Sequence, residues 1–360
     1  MINKLPLPFW TLAAPIAAWL VYSGKFLFGG GAFDLLMAVG LIGTILAAVH
    51  HAEVVAHRVG EPFGTLLLAV AVTIIEVSLI VSLMVAGGPE TTTLARDTVF
   101  AAVMIILTLM IGLCLLMGGA RYKEQLFVKY GVSAALVTLT AISVLTLILP
   151  NYTTSVAGPI YSSSQLTFVA VVSLVLYGTF VLVQAVRHRD YFLPFGTETD
   201  EEVHAPPPTR QATILSSIFL LVGLAAVVLL AKSLSPTIEE GVAAVGAPKS
   251  LVGIVVAFVI LLPEGLAALR AARQNRLQTS LNLALGSALA SIGLTIPAVA
   301  TVALVTNMTI TLGIDTKSTV LLVLSLFIIA LSFGTGRTTV LQGVVLLVIF
   351  AVYLFTTIIP

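Results

Sequence analysis

The chain has 360 residues, of which 59% are hydrophobic and only 9% charged, with a formal net charge of +1 and a mean hydropathy of +1.13. So few charges cannot solvate a soluble surface of this size, and no basic stripe exists to meet nucleic-acid phosphates. One cysteine, Cys114, excludes a disulfide scaffold. What remains is an all-α polytopic membrane protein, in which every charge inside the bilayer needs a reason.

A spanning helix needs about 20 mostly apolar residues. Eleven runs qualify, at 7–28, 32–57, 62–87, 95–119, 131–150, 164–187, 212–233, 248–271, 279–306, 317–335 and 338–359. They are too long and too continuous for the alternating strands of a barrel. The first run follows Lys4 and shows no small-residue cleavage site, so it reads as a retained helix. Lys and Arg set the orientation. With the N-terminus inside, 12 of the 17 fall on the cytoplasmic side and 5 outside, which predicts N-in and C-out. Residues 188–211 form the one long polar connection, with Glu198, Asp200, Glu201, Glu202 and Pro206-Pro207-Pro208. They read as an acidic cytoplasmic linker, either a plain tether or a regulatory element.

The chain also repeats itself. Gly60-Glu61-Pro62 precedes the third run, and Gly246-Ala247-Pro248 precedes the eighth. Glu76 lies 16 residues after the first glycine, and Glu264 lies 18 after the second. The predicted organisation is an N-terminal helix (1–31), a five-helix repeat (32–187), the linker (188–211) and a second five-helix repeat (212–360). Five is odd, so the second repeat enters the membrane with inverted polarity, the plan of secondary transporters.

Fourteen of the sixteen acidic residues fall at span ends, in loops or in the linker. Glu76 and Glu264 do not. Both sit near the middle of their spans, at matching places in the two repeats, with no Lys or Arg at that depth. A carboxylate at the bilayer centre costs about 2.5–3.5 kcal/mol on insertion scales. It must be protonated or paired with a cation. The expectation is that the two glutamates bind a metal cation when ionised and protons when not, which is the chemistry of an antiporter. Pro263 and Gly265 flank Glu264, and proline frees a carbonyl in the preceding turn. Ser287 and Ser291 share a helix face beside Gly286, and Thr73 is three residues before Glu76. These hydroxyls either complete an oxygen shell or serve packing and back-bonding. Oxygen-only ligands favour a hard cation, Ca²⁺, Na⁺, K⁺ or Mg²⁺, over a transition metal, as transported substrate; no cofactor is expected.

His50, His51, Glu53, His57, Arg58 and Glu61 crowd the cytoplasmic end of the second run. Imidazole titrates near physiological pH, so His50, His51, Glu53, His57 and Glu61 could relay protons or sense pH. The plain alternative is a solvated helix end, and a zinc site is a third reading. The spacing is not the H-E-x-x-H of a metalloprotease, no nucleophile and base pair sits at depth, and no Walker-type segment exists. A cation channel would need a pore and usually a multi-subunit selectivity ring, which a single internally repeated chain does not suggest.

The stretch from His50 through Gly60-Glu61-Pro62-Phe63-Gly64 to Glu76-Val77-Ser78-Leu79-Ile80 resembles the ChaA-type bacterial cation/proton antiporters. So do Pro263-Glu264-Gly265-Leu266, Asn282, Gly286-Ser287, Ser291 and the C-terminal Ser332-Phe333-Gly334-Thr335-Gly336-Arg337-Thr338. These antiporters belong to the cation/Ca²⁺ exchanger superfamily. The resemblance implies an eleven-helix inverted-repeat fold, alternating access, and export of Ca²⁺, Na⁺ or K⁺ against H⁺ across a bacterial inner membrane. It matches Glu76 and Glu264 to the family's ion-binding acids. The chain departs from the superfamily in having Ile74-Ile75 and Leu262-Pro263, not Gly-Asn, before these acids. Between Val103 and Leu109 it offers only the hydroxyl of Thr108. The site is thus poorer in oxygen on one side, which leaves room for monovalent exchange.

Overall fold

The computed structural model describes residues 7–28, 32–60, 63–87, 92–193, 208–244, 246, 248 and 250–359. Glu61, Pro62 and the acidic run of the linker lie outside them. The described chain is almost entirely helical, as lipid requires, because a helix bonds its own N–H and C=O groups along its length. The chain is an all-α polytopic membrane protein. Nine helices among the described residues are long and apolar enough to cross a bilayer. They coincide with nine of the eleven predicted runs. The first and third runs are also helical, and the third contains the apolar stretch Ala69–Met84.

Two compact units account for the fold, one of residues 1–89 with 200–245, the other of 90–199 with 246–360. The first contains α1 (Phe9–Phe28), α2 (Ala32–Val59), α3 (Phe63–Gly87) and α7 (Arg210–Ala244). Here α2 packs against α1, α3 and α7, and α3 also packs against α7. Small residues set the approach of α1 to α2. A Cβ built on Gly40 would lie 3.6 Å from the Ala18 Cα, and one built on Gly43 would lie 3.6 Å from Ala14. The Trp19 indole donates to the Val222 carbonyl at 3.3 Å, joining α1 to α7.

The second unit contains α4 (Leu94–Tyr122), α5 (Lys129–Tyr152), α6 (Ser163–Arg187), α8 (Ser250–Arg273), α9 (Leu277–Thr306), α10 (Thr316–Phe333) and α11 (Val340–Ile358). Its centre is α9, which packs against α4, α5, α6 and α8. Three helices carry wide turns with i→i+5 hydrogen bonds, at Ile105–Met110 in α4, Val144–Ile148 in α5 and Val183–Arg187 in α6. Such segments are single-turn insertions into an α-helix and are common at functional sites. Ser162 and Gln165 form a capping box that starts α6, and Thr339 with Gln342 starts α11 in the same way. The contact of α4 with α11 depends on glycine. A Cβ on Gly343 would lie 2.8 Å from the Gly112 carbonyl oxygen, so only a bare backbone fits.

Apolar periodicity did not announce one element. Gln125–Leu126 and Arg337–Thr338 pair as a two-stranded antiparallel ribbon between the α4–α5 and α10–α11 connections. The predicted linker also begins in a fixed conformation. Arg189–Phe192 forms a short 3-10 turn, with Phe192 buried and its carbonyl accepting from Asn282 Nδ2 at 2.6 Å.

Candidate functional site

Glu76 sits midway along α3 and is 3% exposed. Its helix carries no other charge, and Ile75, Leu79 and Ile80 beside it are buried. Thr73, one turn earlier, is buried too. Glu76 and Thr73 therefore both lie inside the protein rather than toward lipid.

Glu264 is half-buried on α8. The helix runs without a break through Pro263, so proline does not end it. It does remove the donor for the Val259 carbonyl four residues earlier. A Cβ on Gly265 would lie 3.4 Å from Met110 Cε, which places the wide turn of α4 beside the Glu264 turn. A short reversal at Gln274–Arg276 joins α8 to α9, with Asn275 at φ 61° and Arg276 N–H bonding to the Ala271 carbonyl at 3.0 Å. Glu264 stands eleven residues before Asn275 and Ser287 stands twelve after it. Because α8 and α9 pack along each other, this symmetry brings the two to similar depth.

Ser287 is half-buried and Ser291 is buried. One turn further, Thr295 is fully buried and its hydroxyl has no hydrogen-bond partner among the described residues. Other buried helix hydroxyls donate to the carbonyl four residues back, as in Thr146 to Ile142 and Ser173 to Val169. Thr108 does the same toward Met104 within the wide turn, so its hydroxyl hydrogen is already used. Sequence reasoning stopped at Ser291. The same i+4 spacing that linked Ser287 to Ser291 would have reached Thr295.

The histidine cluster on α2 divides. His51 is fully buried, with both ring nitrogens in hydrogen bonds to Thr11 and Ser216. His50 is partly exposed, 3.9 Å from the Glu53 carboxylate, and its ring lies 5.9 Å from Trp10. His57 and Arg58 are exposed, and Arg58 donates to the Pro208 carbonyl at 3.3 Å. Glu61, the last member of the cluster, is outside the described residues.

A polar cavity of about 150 Å³ opens where the ends of α4, α8, α10 and α11 meet. Its charges are already engaged. Arg96 bonds Asp97 and the Gly313 carbonyl at 2.8 and 2.9 Å, and Thr93 donates to Asp97. Lys317 donates to the Thr356 carbonyl, and Asp315 caps α10 through the Ser318 N–H. This arrangement clasps helix ends. Between α5 and α6, burial pushes the Tyr161 phenol up to about 12, and its hydroxyl donates to the Leu145 carbonyl at 2.6 Å. Among the described residues no three His, Cys, Asp or Glu side chains gather as a metal site.

Comparison with known proteins matches residues 30–186 and 215–359 to the sodium/calcium exchanger protein family. A protein of Sinorhizobium fredii, y4hA, assigned to ionic transport, is 48% identical over 330 residues, covering 91% of this chain and 89% of its own. The sodium-potassium/proton antiporter ChaA of Escherichia coli is 36% identical over 327 residues, covering 90% and 88%. The crystal structure of the H⁺/Ca²⁺ exchanger CAX superposes with a TM-score of 0.71 at 16% identity, over 96% of this chain and 88% of that one. That likeness is one of fold.

Proposed function

Because this chain belongs to the sodium/calcium exchanger protein family, we propose that it is a secondary antiporter that exports Ca²⁺ in exchange for H⁺, with Glu76 and Glu264 carrying the exchanged ions. The observation that carries this reading is the placement of Glu76. It is a carboxylate 3% exposed, at the middle of a helix with no basic residue. Holding charge there is costly unless a cation accompanies it. Glu264 is its counterpart in the second repeat, on a helix whose proline leaves the Val259 carbonyl without its usual donor. Ser287, Ser291 and Thr73 supply further oxygens.

Two carboxylates exchange one Ca²⁺ for two protons with no net charge moved. A membrane potential acts only on net charge, about 2.3 kcal/mol per charge per 100 mV. Such an exchange is driven by ΔpH and by the Ca²⁺ gradient alone. We place the protein in the bacterial inner membrane with eleven spans, N-terminus inside and C-terminus outside, as the Lys and Arg distribution favours. His50, Glu53 and His57 then meet the cytoplasm, where they hand protons to or from the chain.

A monovalent reading is favoured by one observation. The 36% identical relative is named a sodium-potassium/proton antiporter. The same two carboxylates would then exchange Na⁺ or K⁺ for H⁺. Purified protein in liposomes with an imposed pH gradient separates the readings: Ca²⁺, Na⁺ or K⁺ is added and collapse of the gradient is followed by a dye. The expected result is gradient collapse with Ca²⁺, unaffected by a clamped potential. Glu76→Gln and Glu264→Gln each fall to the protein-free background while still inserting. Robust exchange in both variants refutes the site.

A further inference from the structure

The N-terminal helix contains a defect set by its sequence. Pro15 lies inside α1 and has no N–H, so the carbonyl of Thr11, four residues earlier, loses its helical donor. Thr11 is fully buried, where an unpaired carbonyl is costly. A donor comes from a different helix. Nε2 of His51 on α2 lies 3.1 Å from the Thr11 carbonyl oxygen, and Nδ1 of the same ring lies 3.2 Å from Ser216 Oγ on α7. A carbonyl oxygen only accepts, so the hydrogen of the first contact belongs to Nε2. Neutral imidazole carries one N–H, so Nδ1 accepts and the Ser216 hydroxyl donates to it. His51 and Ser216 are both fully buried, and the Phe219 ring lies 5.6 Å from the imidazole.

We infer that His51 is a positioning residue. One neutral imidazole, in its Nε2–H form, joins α1, α2 and α7 and replaces the main-chain hydrogen bond that Pro15 deletes. In the same unit α2 and α7 are the helices against which α3 packs, and α3 bears Glu76. His51 thus acts on exchange through the frame that holds α3, a link that rests on Glu76 carrying an ion. The clasp itself does not depend on that reading. It also separates His51 from its neighbours His50 and His57, whose side chains are not committed to packing in this way.

A cycle of substitutions in the full-length chain tests this. Exchange is measured in liposomes with Ca²⁺ as the probe, and unfolding temperature in detergent without added cation. His51→Leu leaves the Thr11 carbonyl without a donor. We expect a maximal rate about three- to tenfold lower, a half-saturating Ca²⁺ concentration within about twofold of wild type, and a lower unfolding temperature. His51→Gln keeps an N–H at the reach of Nε2 and retains most of the rate. Pro15→Ala restores the N–H within α1, and in that background the His51→Leu losses shrink to less than about half. Equal losses with and without Pro15 overturn the inference. So does a His51→Leu variant as active and stable as wild type, or one whose main defect is weaker Ca²⁺ saturation, which would put His51 on the ion path. Where His51→Leu alone fails to insert, recovery of folded protein by Pro15→Ala supports the clasp, and no recovery overturns it. If the wild-type chain exchanges no cation, the exchanger reading fails, and the unfolding-temperature cycle still decides on His51.

Discussion

The helices that follow the two mid-span glutamates, α4 after α3 and α9 after α8, are built on different chemistry. In α4 the stretch Val103–Leu109 has only Thr108 as a hydroxyl, and that group back-bonds to Met104. The same stretch holds the wide turn, and below it Gly112 lets α11 approach to backbone contact at Gly343. By contrast, α9 runs as an α-helix from Leu277 to Thr306, with no wide turn, and carries Ser287, Ser291 and Thr295 at i+4 spacing. One helix is shaped for packing and the other is lined with oxygen. Helices at matching places in the chain order can thus differ in chemistry, one in close backbone packing and one in its row of hydroxyls.

Variants can break that contrast, and the largest effect is expected on the packing side. Gly343→Ala places a Cβ against the Gly112 carbonyl and the Leu116 backbone. It should destabilise the protein by about 1–3 kcal/mol, read as a lower unfolding temperature, with cation saturation unchanged in the protein that folds. Next comes the oxygen side. Ser291→Ala should raise the half-saturating cation concentration about tenfold, equivalent to about 1.4 kcal/mol, in liposome exchange. An effect of Ser291→Ala on stability alone would remove the hydroxyl series from the site. Smaller still, Thr108→Val should alter cation saturation by less than about twofold, because its hydroxyl serves its own helix. If Thr108→Val weakened saturation as much as Ser291→Ala, the two helices would be chemically alike after all. The smallest effect belongs to the ion pair of Glu124 with Arg337 at the α4 and α10 ends, 3.5 Å apart with side chains 53% and 61% exposed. Glu124→Gln should change stability by less than about 1 kcal/mol in thermal unfolding, and less again at high salt.

Much of the fold was legible from composition and run length. Every one of the eleven predicted runs coincides with a helix, to within a few residues at most ends. The exception is α7, which continues to Ala244 and takes Glu239 and Glu240 into the helix where a loop was predicted. Lys232 and Pro236 read as the end of a span, yet the helix runs on through the proline. The mid-helix positions of Glu76 and Glu264 were legible too, since a charge in an apolar run has no local explanation. The Gln125–Thr338 pairing was not, because a two-residue strand leaves no period-2 pattern to read. Nor could pattern distinguish His51 from His50. Adjacent residues point about 100° apart on a helix, and which direction is buried depends on the neighbours that arrive.

The sequence by itself determined the class of protein, the positions of its helices and the depth of Glu76 and Glu264 in them. Those are local properties, set by the need of each spanning segment to bond its own backbone and to shed charge in lipid. Only the tertiary structure decided which helices share a unit. Here α7 packs with α1, α2 and α3, while α4, α5 and α6 pack with α8 to α11. It also decided which polar groups were spoken for, pairing His51 with the carbonyl that Pro15 left open and leaving the Thr295 hydroxyl without a partner among the described residues. Partnership of that kind depends on shape and hydrogen-bond complementarity between segments distant in sequence, and no window along the chain contains it.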